Sequence, residues 1–459
     1  MNYNKELENL REDIRSLTGE IVDLVDRRMD LVRKVGEIKS KLNIQVEDVN
    51  VEQEIRDHVF RFRNGSQTNR VLVGRLLNLL FSESKRFQLN NNQTTDSINH
   101  MMVFLRAKEL ERKGKKIIHL EVGEPDYMPP IATKHALMKS YDTKHVKYTE
   151  TQGIPILRNA IAKLYHNKLS AEEIIVTPGA RFAIFSAISS LLTAGDEIII
   201  LEPAWPAYKE CAEYIGAKPV IIKTQLQNGW VPKLEQIKNA ITNNTKMLVL
   251  NYPNNPTGKI LEERIVAEII DVVRKHKIIL LSDEVYSDYA YCKFKSLIDY
   301  NYDEGVIVSS FSKNYSMTGY RIGYALSNKE NIKKMNKVQA LAITSVAEPI
   351  QYAALSVLKK KSQHFSKIMK KRLDFVKEEL SSMPIDFYSP DGAMYFFVRV
   401  AKSNSVSTII EKLLEMGVAV SPGVGFGSSY HDFVRISACQ KLKVLRQGLN
   451  IIESVISGK

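Results

Sequence analysis

Val306-Ile307-Val308-Ser309-Ser310-Phe311-Ser312-Lys313, followed by Met317-Thr318-Gly319-Tyr320-Arg321-Ile322-Gly323, is the stretch from which the rest of the chain is read. The β-branched run predicts a buried strand; small hydroxyl residues follow it, then one lysine, and eight residues later an arginine beside glycines. That order suits an amine that condenses with an aldehyde next to a phosphate clamp. Such an amine must lose its proton, which burial and a cationic neighbour favour, and Ser310 and Arg321 would grip phosphate by charge-assisted hydrogen bonds. A surface lysine and a solvated arginine after an ordinary strand read equally well from this segment alone, so the decision falls to the rest of the chain.

With 459 residues the chain is too long for one ordinary core and predicts two or three domains. Hydrophobic residues at 44% and charged residues at 25% describe a soluble globular protein. No apolar run is long enough for a signal segment or a spanning helix, so a cytoplasmic location without a membrane partner is expected. Cys211, Cys292 and Cys439 are odd in number and far apart, which argues against a disulfide framework and against a metal site. The net charge of +13 raises the question of nucleic acid. Charge is balanced up to Asp96, however, and the excess is scattered beyond it apart from Lys359-Lys360-Lys361 and Lys370-Lys371-Arg372. With no accompanying nucleic-acid motif, it reads as a solvated face of a protein that handles small anions, with no nucleic-acid partner.

From Leu7 the apolar positions run Leu7, Leu10, Ile14, Leu17, Ile21, Leu24, Leu31, Val35 and Ile38, with Arg28 alone interrupting the seam. One helix of more than thirty residues with heptad character is expected, then a second from about Asp48 and a third from about Asn69 to Gln88. The polar stretch Leu89 to Ser97 loses all periodicity and reads as a linker. A multidomain chain follows: an all-α three-helix domain over residues 1–90, a linker at 91–97 and a second domain over 98–459. An arginine in an apolar seam is costly without a partner. Lys39 lies about 16 Å further along nearly the same face, so the two cations could close on a small dianion. Asp48 with Glu52, and Ser84 with Gln88, share helix faces by i,i+4 spacing. Singly, each is also explained as a salt bridge or a cap.

Together, Leu10-Arg11, Arg28, Val35-Gly36-Glu37-Ile38-Lys39, Asp48, Glu52, Ser84 and Gln88 resemble the all-helical chorismate mutases in identity and order. The resemblance implies that Arg28 and Lys39 hold the carboxylates, Glu52 the hydroxyl, and Lys39 with Gln88 the ether oxygen where negative charge builds, with Asp48 and Ser84 completing the substrate site. Such catalysis is positioning plus electrostatics and needs no nucleophile. Arg11 belongs to the same set yet lies about 25 Å from Arg28 along one helix, so a functional Arg11 must complete the site of a second copy in a homodimer or higher homo-oligomer. One position departs: where the family has an arginine just before the glutamate, this chain has Val51. A relative acting on 4-amino-4-deoxychorismate, an isochorismate lyase and a non-catalytic ligand sensor therefore stay open.

After the linker, short apolar strands alternate with helices. Ile117 to Leu120 leads into Gly123-Glu124-Pro125-Asp126, Ile174-Ile175-Val176 into Gly179-Ala180-Arg181, Ile198-Ile199-Ile200 into Pro203-Ala204-Trp205, Met247 to Leu250 into Asn254-Asn255-Pro256-Thr257-Gly258, and Ile278 to Leu281 into Ser282-Asp283-Glu284-Val285-Tyr286. Such strands predict an α/β domain with a mostly parallel sheet covered on both faces, and polar residues past their carboxyl ends mark a ligand crevice.

These motifs resemble fold-type I pyridoxal phosphate enzymes, specifically class I aminotransferases of the aspartate/aromatic type, with a large domain and a smaller α/β domain. The resemblance implies pyridoxal 5′-phosphate as cofactor, carried on Lys313, which when freed moves the proton at the substrate Cα. It implies that Asp283 keeps the pyridine nitrogen protonated, that Asn255 and Tyr286 bond the phenolic oxygen, and that Trp205 stacks on the ring. Amides at Gly179, Ala180 and Arg181 join Ser310 and Arg321 around the phosphate, and Tyr148 reaches the phosphate of a neighbouring subunit. Arg435, in Phe433-Val434-Arg435-Ile436-Ser437, would take the substrate α-carboxylate, with Gly123, Trp205 and Asn255 also lining the substrate. Arg181 stands where some dicarboxylate-specific members carry a lysine, and cis peptides are implied before Pro203 and Pro256. The expectation is a bifunctional enzyme of aromatic amino acid biosynthesis, a mutase fused to an aminotransferase. Rivals are an aminotransferase with a non-catalytic N-terminal module, or another reaction of the same cofactor, since one fold hosts many chemistries.

Overall fold

In the computed structural model the described residues are 3–42, 49–61, 70–91, 100–358, 364–400 and 406–457. Asp48 and the Lys359-Lys360-Lys361 cluster lie outside them. The chain divides into two compact units, Met1–Asp96 and Ser97–Lys459. Among the described residues no helix is long and apolar enough to cross a membrane.

The first unit has three helices: α1 (Tyr3–Lys41), α2 (Val49–Arg61) and α3 (Arg70–Asn91). The 39-residue α1 follows from the heptad seam with no proline to interrupt it. Its helical neighbour α3 runs three residues past Gln88, so Leu89 to Asn91, read above as linker, are helical; Asn and Gln tolerate a helix end once the preceding turns are formed. The unit's core is small: Val73, Leu77 and Phe81 of α3 are buried, with Val59 and Phe60 of α2 against them.

The second unit holds a seven-stranded sheet. In chain order its strands are β1 (Ile174–Thr177), β2 (Glu197–Glu202), β3 (Lys218–Lys223), β4 (Thr245–Asn251), β5 (Ile279–Asp283), β6 (Gly305–Ser310) and β7 (Gly323–Leu326). Their spatial order is β1-β7-β6-β5-β4-β2-β3. Alternate residues serve two separate cores. Ile199, Leu248, Leu280 and Ile307 point to one side, and Ile198, Val249, Leu281 and Val308 to the other. A sheet buried on both faces needs uniformly apolar strands, which is what these segments carry.

All neighbouring pairs from β3 to β6 are parallel, while β7 is antiparallel to both β6 and β1. Because β7 returns directly beside β6, Ser310 pairs with Gly323. The excursion between them is therefore held over the carboxyl end of the sheet, carrying Lys313 and Arg321 back to one place. The run Ile117 to Leu120 does not join this sheet. Only Ile118–His119 is extended, in parallel with Val418–Ala419 in a two-stranded sheet; an apolar run signals burial but not which sheet buries it. A four-stranded antiparallel sheet built from Asp386–Phe387, Tyr395–Arg399, Ser421–Pro422 and Phe433–Ser437 forms the smaller α/β part. Its core joins Phe396, Val398 and Ile436 to the helix residues Leu373, Leu413 and Leu449.

Candidate active sites

The cleft of the second unit lies where β4, β5 and β6 end. Lys313 stands in a short helix, Phe311–Asn314, opened by Ser310, whose Oγ accepts from the Ser312 amide at 3.0 Å. Lys313 Nζ donates to the Gly123 carbonyl at 2.6 Å. Desolvation first, then the charges of Arg435 and Arg321, lower its pKa, against an opposing pull from Cys439 and Glu124. Gly123 admits no side chain, because a Cβ there would lie 1.7 Å from the Tyr395 hydroxyl.

Asp283 ends β5 and is buried. Tyr208 donates to its Oδ2 at 2.5 Å and the Val285 amide to its Oδ1 at 3.2 Å. Burial nevertheless pushes the carboxyl up to about 6, outweighing these two donors. A buried carboxylate with only neutral donors is suited to a cationic group such as a protonated ring nitrogen. The Tyr286 hydroxyl lies 2.7 Å from that of Tyr395, and the Tyr395 ring centroid lies 4.4 Å from the Arg435 guanidinium carbon. Arg435 is buried: one Nη donates to Asn255 Oδ1 at 2.8 Å, and the other to the Glu121 carbonyl and to Ser421 Oγ, the latter at 3.2 Å. Its Nε has no partner. Asn255 is in turn held by its amide on Asn251 Oδ1 at 3.0 Å. A planar cation aimed by three acceptors suits a carboxylate.

The phosphate side of the cleft is built from close backbone approaches. The helix Ala180–Leu191 starts at Gly179, which has φ of +86° and leaves the first amides without a side-chain cap. A Cβ on Gly179 would stand 2.8 Å from Arg321 Nη2, and one on Gly323 2.8 Å from the Ala180 nitrogen. Arg321, at φ +51°, is steadied by donating from Nη1 to the Thr318 carbonyl at 2.8 Å. Amides, guanidinium and Ser310 together fit an anion. Arg181 is exposed, its guanidinium carbon 4.7 Å from the Trp205 ring centroid, and Trp205 meets Tyr208 edge to face. Tyr148 stands 90% exposed and away from these contacts. The peptides before Pro203 and Pro256 are cis, as is the one before Pro253. Tyr208, Tyr395, Ser421 and the Glu121 carbonyl escaped the reading of the sequence. Tyr208, one helical turn past Trp205 in Trp205-Pro206-Ala207-Tyr208, carried a usable signal; Tyr395 had none.

In the first unit, Arg28 of α1 donates from Nη1 to Ser84 Oγ at 2.6 Å and to the Leu80 carbonyl at 3.2 Å, both on α3. Burial lowers its pKa. Gln88 is buried with its Oε1 unpartnered, and Gly36 makes room for it, since a Cβ there would come within 3.0 Å of Gln88 Cγ. Lys39 and Glu52 are half-buried, whereas Arg11 is exposed. Arg28 and Gly36 of α1 thus meet Ser84 and Gln88 of α3 respectively.

A crevice at the ends of parallel strands, with a buried amine and a carboxylate facing it, marks the pyridoxal-phosphate-dependent transferases of fold type I. The chain belongs to the aminotransferase class I and II family, whose model matches residues 115–452, and it carries a chorismate mutase type II domain, matched over residues 10–89. Class I aminotransferases use pyridoxal phosphate. The aspartate aminotransferase of Thermotoga maritima is 32% identical, covering 77% of this chain and 95% of the relative. The aspartate/prephenate aminotransferase of Thermus thermophilus is 32% identical over 81% of this chain and 98% of its own length. A solved structure of the Thermus thermophilus aspartate aminotransferase with maleate superposes with a TM-score of 0.75, at 32% identity, covering 79% of this chain and 98% of that one.

Proposed function

We propose that residues 1–90 convert chorismate to prephenate and that, beyond a linker at 91–97, residues 98–459 transfer an amino group from glutamate or aspartate to a 2-oxo acid: prephenate, an aromatic 2-oxo acid or oxaloacetate. The observation that carries the second half is one chain of contacts. Lys313 reaches Gly123, Gly123 abuts Tyr395, and Tyr395 faces Arg435, so the amine and the carboxylate-binding guanidinium serve a single small ligand. The fusion has a chemical rationale: prephenate carries a pyruvyl side chain and is itself a 2-oxo acid. A relative named for both aspartate and prephenate supports that acceptor.

Bound pyridoxal 5′-phosphate supplies an aldehyde that carries the amino group and a ring that withdraws electrons. Around it the chain's own residues divide the work. Arg435 holds the α-carboxylate bidentately and so orients the Cα–H bond. Lys313, whose pKa burial lowers, would take the proton from Cα and return it. Asp283, steadied by Tyr208, would hold the positive charge of the ring nitrogen, Asn255 and Tyr286 would bond its phenolic oxygen, and Ser310, Arg321 and the amides from Gly179 to Arg181 would hold the phosphate. Trp205 would stack on the ring, and Arg181, held against Trp205, would take a distal carboxylate. In the N-terminal pocket Arg28 and Lys39 hold carboxylates, while Glu52 and Gln88, with Asp48 and Ser84 in support, orient the ring and stabilise the ether oxygen.

A homodimer completes both sites. The exposed Tyr148 would reach the neighbour's phosphate, and Arg11 the neighbour's mutase pocket. A second reading, that the N-terminal domain senses a ligand without converting it, is favoured by Val51, which offers no cation and stands 46% exposed. The test is amino transfer from glutamate and from aspartate to prephenate, phenylpyruvate, 4-hydroxyphenylpyruvate and oxaloacetate, with chorismate consumption followed in parallel. Transfer to at least one acceptor and loss of chorismate are expected. No transfer to any acceptor overturns the first assignment, and intact chorismate leaves the sensor.

A further inference from the structure

Two arginines of the first unit share one aromatic ring. The Phe81 centroid lies 5.9 Å from the guanidinium carbon of Arg28 and 4.9 Å from that of Arg56. Arg28 comes from α1 and Arg56 from α2, so two helices converge their cations on the same buried ring of α3. Like charges do not gather in a partly desolvated place without a reason. Burial lowers the pKa of both, and for Arg56 only the charge of Glu52, one turn earlier on the same face, opposes that. Arg56 donates to Asn78 Oδ1, which fixes the guanidinium edge on the ring and leaves Asn78 Nδ2 buried and unpartnered. One helical turn beyond Ser84, the buried Gln88 likewise keeps an unpartnered Oε1. Two cations and a spare amide donor beside one ring, with a spare amide acceptor about two turns further along α3, have the composition of a site for a polyfunctional anion.

Resting on the chorismate mutase reading, we propose that Arg56 is the cation that reads the Glu52 end of a cyclic dicarboxylate, opposite Arg28. Positions 52 and 56 share the face of α2 that meets α3, and both are half-buried. Val51 is turned about 100° off that face and is exposed. The missing arginine at position 51 is therefore replaced in charge one turn further on, from a direction fixed by Asn78 and Phe81. Specificity at that end is set by Arg56 and Glu52 acting as a pair, the carboxylate accepting from the ligand hydroxyl and the guanidinium holding the adjacent anionic group.

The test uses the full chain and chorismate, with Arg56→Leu, Arg56→Lys and Arg28→Ala proteins and the double substitution Val51→Arg/Arg56→Leu. Arg56→Leu should raise the KM for chorismate about tenfold or more, the scale of one lost charge-assisted contact, with thermal midpoint and amino transfer unchanged. Arg56→Lys should recover part of the loss, and Val51→Arg in the Arg56→Leu background should recover most of it. An unchanged KM in Arg56→Leu beside an inactive Arg28→Ala overturns the role of Arg56, and so does a fall in thermal midpoint with KM unchanged, which marks a packing residue. If wild type does not turn chorismate over, the mutase reading is what fails, and chorismate affinity by calorimetry decides for Arg56. Tenfold weaker binding in Arg56→Leu upholds its role; equal affinity, or no binding to wild type, overturns it.

Discussion

The two units bury their apolar residues in opposite ways. Ile199, Leu248, Leu280 and Val308 in the sheet of the second unit are fully buried, whereas Leu10, Ile14, Leu17, Ile21 and Leu24 along α1 remain 55–63% exposed. Both sets are equally regular in sequence, so regularity alone does not say whether a face is covered within one chain. A 39-residue helix spans about 58 Å, and the 22-residue α3 covers at most about 33 Å of it. Apolar burial contributes about 25 cal/mol per Å², so covering this stripe would be favourable, and the proposed pairing of α1 with another copy would supply that cover. The first unit therefore depends more on association for its apolar burial than the second does.

The largest expected effect tests that independence. Lys313→Ala should reduce amino transfer by about 10²–10⁴-fold or more, the range for losing a positioned base together with the attachment point of the cofactor. Chorismate turnover should be untouched. Borohydride reduction of the cofactor-loaded protein should label Lys313, which peptide mapping checks without any activity assay. Asp283→Asn should retain bound cofactor yet lose most activity, because a neutral amide does not hold the ring nitrogen protonated. Loss of both activities in Lys313→Ala would show that the two units do not work independently.

The next effect breaks the other side of the contrast. Arg11→Ala and Arg28→Ala should each lose mutase activity and keep amino transfer. Refolded together in equal amounts, they should regain about a quarter of wild-type mutase activity, since about half the dimers are mixed and each has one intact site. Ile14→Glu, placing a charge in the exposed seam, should weaken pairing through α1 and lower mutase activity while amino transfer persists. Mixed dimers without recovered activity would show that Arg11 does not act across the interface.

What was legible before the structure follows the same division. Lys313, Ser310 and Arg321 lie in one contiguous motif because β7 returns beside β6, so they could be read as candidates from their order, with the motifs elsewhere in the chain deciding. The long helix was legible from its heptads, and the set Arg28, Ser84 and Gln88 from a constellation of single residues. Tyr395 was not legible, because it meets Tyr286 across 109 positions of sequence and acts through an edge-to-face contact that no local pattern encodes. The Glu121 carbonyl, which aims Arg435, is a backbone atom and has no sequence signature. Ile118–His119 was assigned to the wrong sheet because the short run Ile117 to Leu120 satisfies either. Arg56 carried no signal in the sequence, since only its neighbours Phe81 and Asn78 distinguish it.

The smallest expected effect concerns a charge enclosed by the self-sufficient core. Glu202 ends β2, and a Cβ on Gly427 would lie 2.4 Å from its Oε2, so the carboxyl is tightly covered. Burial pushes its pKa up to about 7, against weaker opposing pulls from Lys209 and Lys223. A folded-state value above the ordinary one means the folded chain prefers the neutral acid. The associated stability is full below about pH 4.5 and is lost as pH rises through about 7, at roughly 1.4 kcal/mol per pH unit and about 3 kcal/mol in all. Glu202→Gln keeps the shape and removes the ionisation. Unfolding of the second unit should therefore occur a few degrees higher in the variant than in wild type at pH 8, with little difference at pH 5. Glu284 is also pushed up to about 7 by burial, so the wild-type pH profile alone mixes the two groups. The difference between wild type and Glu202→Gln isolates Glu202. A variant less stable at pH 8 than wild type would show that the ionised carboxylate has gained a partner worth more than its burial costs, and the helical unit, among whose described residues no carboxylate is fully buried, should show no matching shift in either protein.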